Sequence, residues 1–147
     1  MAIKKFETHH LVTGADTNHH GTLFAGRGAA WFVEAGFVAA ASMTCTAETV
    51  CATVHGMVFN RPVKKGSILR FDSRVVYTGR SSLVVYVDVV TADKGEFVVD
   101  GFLTFIHVDE TGHSAPHGIV VEPETEEEKE LYERASKLRR PQNRSDH

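Results

Sequence analysis

A polar loop leads directly into an apolar segment, and the few side chains at this junction that could do chemistry are the first candidates for a site. The loop, residues 18–21 (NHHG), is followed by residues 25–27 (AGR) and by the stretch 28–42, which is almost entirely small or apolar. Such a segment is typical of a buried helix. Glu34 is its single carboxylate, and a buried carboxylate is costly unless it is paired or used in a reaction.

Glu34 is the first candidate for a catalytic base. Its helical neighbours at three and four positions are Ala30, Trp31, Phe37 and Val38, so apolar groups surround it on the helix. Burial among them is expected to raise the pKa of the carboxyl group towards a value useful to a general base. The alternative is that Glu34 forms a structural ion pair at a subunit interface.

The start of the helix is the second candidate. The first N–H groups of a helix have no partner within it and lie at the positive end of its dipole, so they can hold a developing oxyanion. Ala25, Gly26 and Arg27 are therefore the predicted donors, or else a plain helix start in which the glycine serves packing. Asn18, taken by itself, is typical of a turn or of a helix N-cap. His20 is expected to act as an acid or a hydrogen-bond donor or, alternatively, to be partly exposed and without a role.

The rest of the chain is predicted to hold this helix against a sheet. Residues 4–12 predict a first strand and residues 22–44 the long helix. Four later segments that are rich in β-branched residues and joined by short turns predict an antiparallel meander: 50–59, 67–78, 82–91 and 96–108.

The last predicted element is a helix over 122–140, in which acidic residues come first and basic residues last. One long apolar helix requires a sheet wide enough to wrap around it. We therefore predict an α+β fold, with a curved antiparallel sheet around a central helix, in a single domain over 1–140. Residues 141–147 are predicted to be a disordered tail.

Three motifs, in this order, resemble the acyl-CoA thioesterase branch of the hotdog superfamily: 18–27 with Trp31, 58–67 (VFNRPVKKGS) and 75–89 (VVYTGRSSLVVYVDV). The resemblance implies the hotdog fold and the hydrolysis of acyl-CoA thioesters to a carboxylic acid and coenzyme A. It also implies that the helix start forms the oxyanion hole, and that Asn18 orients water or the thioester from across a subunit interface. Counting from the Asn-His-His-Gly run, the family's usual acid aligns with Val33, so Glu34 lies one residue later, roughly 100° around the helix.

The third motif implies the coenzyme A site. In the family the turn Gly79-Arg80-Ser81-Ser82 contacts the phosphates through backbone amides, the arginine and a hydroxyl. The arginine fork of Arg80 suits phosphate, and Arg61 is expected to add local positive charge. Coenzyme A is then part of the substrate, and no separate cofactor is predicted.

The resemblance also implies self-association, as a dimer and then a trimer of dimers, which is a hexamer. The segment 82–91 is apolar on both faces, so we expect two sheets to pair edge to edge.

Composition and charge limit the classes of binding partner and the cellular compartment that we expect for this protein. The 147 residues carry a net charge of −3, so nothing favours nucleic acid or an anionic membrane. The N-terminus lacks a signal-peptide pattern. Cys45 and Cys51 are expected to be buried free thiols of a reducing compartment, which favours the cytoplasm. The nine histidines have no metal-ligand spacing, and no metal is predicted.

Two other functions remain open. A hotdog dehydratase could use His20 and Glu34 on a hydroxyacyl thioester, but the coenzyme A turn favours hydrolysis. A non-catalytic acyl-CoA-binding protein is the second alternative, and the apolar Val33 at the position of the family's acid favours it.

Overall fold

In a computed structural model, which describes residues 1–59 and 61–138, five strands form one antiparallel sheet. They are β1 (Lys5–Leu11), β2 (Thr49–Val54), β3 (Ile68–Thr78), β4 (Ser82–Thr91) and β5 (Phe97–His107), in the spatial order β1-β3-β4-β5-β2. The long helix α1 (Ala25–Met43) covers one face, and the C-terminal helix α2 (Glu126–Ser136) packs on the other. The predicted α+β fold, a sheet around a central helix, is confirmed.

Small side chains let α1 approach the sheet closely. Phe32, Ala35, Gly36 and Ala39 recur at the helical period and are buried. A Cβ on Gly36 would lie 3.1 Å from Leu103 Cδ1, so glycine permits this contact. The expectation that α1 is buried on all sides is wrong, because the face opposite the sheet is open to solvent in the chain.

The strand order differs from the predicted four-stranded meander. Only β3, β4 and β5 form a meander, whereas β2 pairs with β5 and β1 pairs with β3. The predicted strand 50–59 also ends earlier, at Val54, and Gly56 then adopts a positive φ of 133°. The two free edges are therefore β1 and β2. β4 is central, so its two apolar faces are covered by α1 and α2 and do not indicate edge-to-edge pairing.

The boundaries at the C-terminus are only partly described. The predicted helix 122–140 is shorter, since α2 spans Glu126–Ser136. The domain boundary at 140 and the tail 141–147 lie outside the described residues and stay predictions. Among the residues that the structure describes, no helix is long and apolar enough to cross a membrane.

The two cysteines are exposed. Cys45 follows α1, and Cys51 lies on the edge strand β2. The expectation of buried thiols is wrong, so the predicted cytoplasmic location loses that support.

A row of carboxylates crosses the outer face of the sheet. Asp88 lies opposite Asp72 on one side and opposite Asp100 on the other. Asp72 accepts a hydrogen bond from Arg70 Nε at 3.1 Å, and Asp100 accepts one from the Tyr86 hydroxyl at 2.6 Å. The buried Oδ1 atoms of Asp72 and Asp88, however, have no hydrogen-bond partner within residues 1–59 and 61–138. Burial first, and then the neighbouring Asp72 charge, raises the pKa of Asp88.

Replacing Asp88 with Asn is expected to stabilise the protein by about 1–3 kcal/mol at pH 7, because the new amide can donate to the unpartnered Asp72 oxygen. The raised pKa means that the folded state favours protonated Asp88. Its unfavourable contribution therefore grows as pH rises above the ordinary value of 3.8, and the gain from Asn should shrink towards acid pH. Urea unfolding across pH checks this, with the exposed Asp93→Asn as control. Equal stability of Asp88→Asn and wild type at pH 7 would contradict it.

Candidate functional site

The first turn of α1 offers two free backbone donors. The Phe24 carbonyl accepts from the N–H groups of Arg27 at 3.0 Å and Gly28 at 3.1 Å. The N–H groups of Ala25 and Gly26 have no acceptor among the described parts of the chain. The prediction that Arg27 also donates from its N–H is therefore wrong, since that N–H is already bonded, and the available pair is Ala25 and Gly26.

Backbone hydrogen bonds fix the loop in front of α1. The N–H of Leu23 donates to the Val63 carbonyl at 2.7 Å, and the N–H of Phe24 donates to the Asp16 carbonyl at 2.9 Å. The free donors of α1 are thus held next to the segment 61–63.

Asn18 shapes this loop from within. Its Oδ1 accepts from the N–H of His20 at 2.9 Å and from the N–H and hydroxyl of Thr22 at 3.2 and 3.3 Å. This is the turn geometry of the alternative interpretation. Its side-chain NH₂ has no partner within the described residues, so a role towards a ligand would be that of a donor. His20 is exposed, with its ring centroid 3.9 Å from that of His19, and its role stays a prediction.

Asp16 is a carboxylate at this site that the sequence analysis missed. Its Oδ2 accepts from the N–H and hydroxyl of Thr13 at 2.9 and 2.8 Å, and its Oδ1 lies 3.3 Å from Arg27 Nε. The hydrogen bonds from Thr13 lower the pKa of Asp16. Because both oxygens are engaged, Asp16 anchors the loop to Arg27. The Thr13-x-x-Asp16 spacing, typical of a capping arrangement, was its signal in the sequence.

An apolar pocket of about 280 Å³ adjoins the free donors of α1. It is lined by Leu23, Ala25, Phe59, Arg61, Pro62 and Val63. Arg61 stands at its rim, where its Nη2 lies 3.3 Å from Glu96 Oε1. A wider groove of about 560 Å³ shares Arg61 with this pocket and continues to the turn between β4 and β5. Ala25 is the residue of the α1 start that lines this pocket, so a thioester carbonyl entering it would approach the first turn of α1.

Glu34 lies away from this pocket and is not buried. Its side chain is 62% exposed, and its Oε1 lies 3.3 Å from Nε2 of His10 on β1. The His10 ring stacks on Trp31 with centroids 4.3 Å apart. The expectation of burial is wrong because α1 turns Glu34 towards the β1 edge. Nine residues of helix also place it about 13 Å along the axis from Ala25.

The dehydratase alternative would need His20 close to Glu34. The partner of Glu34 in the described chain is His10 instead, and His20 lies in the loop before α1. The structure does not bring these two residues together.

Val33 and Glu34 lie about 100° apart around α1 and therefore on different flanks of the helix. Val33 shares its flank with Gly36, three residues on, and Gly36 faces Leu103 and Phe105 of β5. That side of the helix leads to the β2 edge. Glu34 and Trp31 share the other flank, beside His10. Val33 is half-buried and packs against the apolar core.

The predicted coenzyme A turn lies at the other end of the sheet. Gly79 donates its N–H to the Ser82 carbonyl at 3.0 Å, and a Cβ on Gly79 would lie 2.5 Å from Ser82 Oγ. The length of β4 separates this turn from Arg61 and the α1 pocket by about 30 Å. The predicted coenzyme A residues therefore form two groups, and one chain does not bring them together.

Side chains suited to metal binding do not cluster. Across residues 1–59 and 61–138, no group of three or more His, Cys, Asp or Glu side chains could hold a metal ion.

Two curated proteins are similar to this chain over most of its length. An uncharacterized acyl-CoA thioester hydrolase of Bacillus subtilis is 35% identical over 124 residues, which cover 82% of this chain and 71% of that protein. The human cytosolic acyl coenzyme A thioester hydrolase is 31% identical over 132 residues, covering 84% of this chain. The matched part is 34% of the human protein, so the chain spans about a third of it.

Solved structures of acyl-CoA hydrolases are also similar to this chain. The acyl-CoA hydrolase of Staphylococcus aureus, determined in complex with butyryl coenzyme A and coenzyme A, is 32% identical, with a TM-score of 0.79 over 90% of this chain and 79% of that one. A hexameric acyl-CoA thioesterase, determined in the apo form, is 36% identical, also with a TM-score of 0.79, over 90% of this chain and 86% of that one.

Variants of the S. aureus enzyme with an asparagine or an aspartate replaced by alanine have also been solved. In the S. aureus enzyme, the number of residues between the asparagine and the aspartate is the same as the number between Asn18 and Val33 in this chain. The family model of the thioesterase superfamily matches residues 20–98, which include α1 and the strands β2, β3 and β4. The chain belongs to the thioesterase superfamily.

Proposed function

We propose that this protein hydrolyses acyl-CoA thioesters to a carboxylic acid and coenzyme A. The observation that carries the proposal is the pair of free N–H groups of Ala25 and Gly26 in the first turn of α1, where Ala25 also lines an apolar pocket. Water attacks the thioester carbonyl, the resulting oxyanion accepts from these two N–H groups, and the C–S bond then breaks. The thiolate of coenzyme A leaves and takes up a proton. The Asn18 side-chain NH₂ is the proposed donor that orients the thioester or the water.

The site is proposed to be complete only in an assembly. β2 is an edge strand that reads TVCATV, without charge or proline, and its Val50 and Val54 are 46% and 42% exposed. Such an edge is suited to pairing with another strand. We propose a dimer through β2 and a trimer of dimers, supported by the hexameric relative. The turn 79–82 of another copy then holds the coenzyme A phosphates, with Arg61 as a nearer cation.

A cytoplasmic location is part of this proposal, and the human relative, which is named cytosolic, supports it. Detection of the protein in an extracellular fraction instead would contradict this location.

Glu34, the predicted catalytic base, does not lie at the proposed site. Glu34 contacts His10 of β1, whereas Val33 lies on the flank that it shares with Gly36, towards β5 and β2, and carries no ionisable group. We therefore propose that Glu34 ties α1 to β1 through His10, and that water attacks without a carboxylate from this turn of the helix. The same observation favours a second candidate function, an acyl-CoA-binding protein that does not cleave its ligand.

Replacing Ala25 with Leu should lower hydrolysis by about 100-fold, because the larger side chain fills the pocket mouth and displaces the carbonyl from its donors. Release of free thiol from acyl-CoAs of short to long chain length measures this. Ala30→Leu, an exposed position of the same helix, is the control and should retain activity. Failure of the wild type to cleave any acyl-CoA that it binds would favour the second candidate function.

Introducing a carboxylate at the β2-facing flank, by Val33→Asp, should raise kcat at least about tenfold, since a positioned general base contributes about 10²–10⁴. Glu34→Gln should lower kcat by less than tenfold, because the exposed ion pair with His10 contributes little. Steady-state kinetics on one acyl-CoA measures both. A fall of 10²–10⁴ in Glu34→Gln would restore Glu34 as the base.

Charging the β2 edge should break the dimer. Val54→Lys places a cation on the free edge that two copies would share, so the species observed by light scattering at micromolar concentration should shift to the monomer. Val58→Lys adds the same charge at a position that is 68% exposed and outside β2, and should leave the assembly intact. A monomeric wild type would contradict the proposed assembly.

A further inference from the structure

Hydrogen bonds join the turn between β3 and β4 to the segment 107–117. All three carbonyls at the end of the turn have a partner there. The Arg80 carbonyl accepts from the N–H of His117 at 3.2 Å, and the Ser81 carbonyl accepts from the N–H of His107 at 2.7 Å. The Ser82 carbonyl lies 2.9 Å from Nε2 of His117. His117 therefore contacts the turn twice, once through its backbone and once through its ring.

Hydrogen bonds assign the tautomer of the His117 ring. The N–H of Ile119 donates to Nδ1 of His117 at 2.9 Å, so Nδ1 carries no hydrogen. The hydrogen of the neutral ring is then on Nε2, which donates it to the Ser82 carbonyl. Each ring nitrogen has one partner, and the two bonds have opposite directions.

The position of the carbonyls decides where the N–H groups of the turn point. The Arg80 carbonyl and the Ser81 N–H belong to one planar peptide and point in opposite directions. Since the N–H of His117 holds the Arg80 carbonyl towards the segment 107–117, the Ser81 N–H points away from that segment. The N–H groups of Arg80 and Ser81 accordingly have no acceptor in residues 1–59 and 61–138. Over the same residues, no carboxylate forms an ion pair with the exposed Arg80 guanidinium.

We propose that His117 is a positioning residue that holds the turn 79–82 in a conformation suited to phosphate. Two adjacent N–H groups and an arginine are the donors that bind a phosphate group. The proposal rests on the proposed function, because the anion is taken to be the phosphate part of acyl-CoA. His117 acts through the turn and does not contact the ligand.

A second histidine keeps the supporting segment in place. Nδ1 of His107 donates to the Ala115 carbonyl at 3.0 Å, and its Nε2 lies 3.2 Å from Glu48 Oε1. The N–H of Ala115 donates back to the His107 carbonyl at 3.0 Å. The segment that carries His117 is thus tied to β5 and to the residue before β2.

Two amide variants separate the two bonds of the His117 ring. Asn can accept from the Ile119 N–H two residues on, as in a common turn, but it is too short to reach the Ser82 carbonyl. Gln is long enough to donate to Ser82 in place of Nε2. We expect His117→Asn to raise the KM for acyl-CoA and the Kd for coenzyme A by about three- to tenfold, the effect of losing one hydrogen bond. His117→Gln should stay within about twofold of the wild type.

The kinetic pattern distinguishes positioning from general destabilisation. Phosphate contacts bind substrate and transition state alike, so kcat should be nearly unchanged in His117→Asn. The KM for an acyl-pantetheine thioester, which lacks phosphates, should not move in either variant. His113→Asn, an exposed position of the same segment, is the control and should behave as the wild type.

Titration calorimetry with coenzyme A keeps this test separate from the proposed hydrolysis. If the wild type binds coenzyme A but cleaves no thioester, hydrolysis is wrong and the Kd values of the variants still decide the role of His117. Equal Kd values for wild type and His117→Asn would overturn the inference. So would equal loss in the Gln and Asn variants, an equal change in the KM for acyl-pantetheine, or a wild type that does not bind coenzyme A.

Discussion

The close contact between α1 and the sheet is the constraint on which the other features depend. Phe32 of α1 is completely buried, and a Cβ on Gly101 of β5 would lie 3.2 Å from its ring and 2.4 Å from the Gly56 carbonyl oxygen. Glycine is therefore required where helix, strand and the segment after β2 meet. Interiors packed to this density do not allow a helix to slide. The first turn of α1 is consequently fixed beside residues 61–63, where Ala25 lines a pocket.

The same packing separates the two ends of the molecule. The free donors of α1 lie at the end of the sheet where β4 finishes, and the turn before β4 lies at the other end. The ten residues of β4 span about 30 Å between these two features. Under the proposed function, a ligand that uses both features would therefore take them from different copies of the chain.

The outer face of the sheet has a different role. Helix α2 begins with a capping box between Thr125 and Glu128, and Arg74 of β3 ties it to the sheet through Glu127 at 3.2 Å. Arg74 also lies over the ring of Tyr86. Next to this contact the carboxylate row places like charges opposite one another, which is unfavourable in a sheet. Arg74 is thus the charged residue of this face that attaches α2 to the sheet.

The sequence by itself determined the elements and the family, because period, turn residues and three ordered motifs are local properties. The long helix, the strands 68–78, 82–91 and 97–107 and the helix start at Ala25 could all be predicted within a few residues. Tertiary structure alone decided the strand order, since the residues of β2 do not encode whether they pair with β3 or β5. It also decided the surroundings of Glu34: apolar neighbours along a helix do not bury a side chain that points away from the sheet. The bond from His117 to the turn 79–82 joins residues 35 positions apart, so no local pattern could show it.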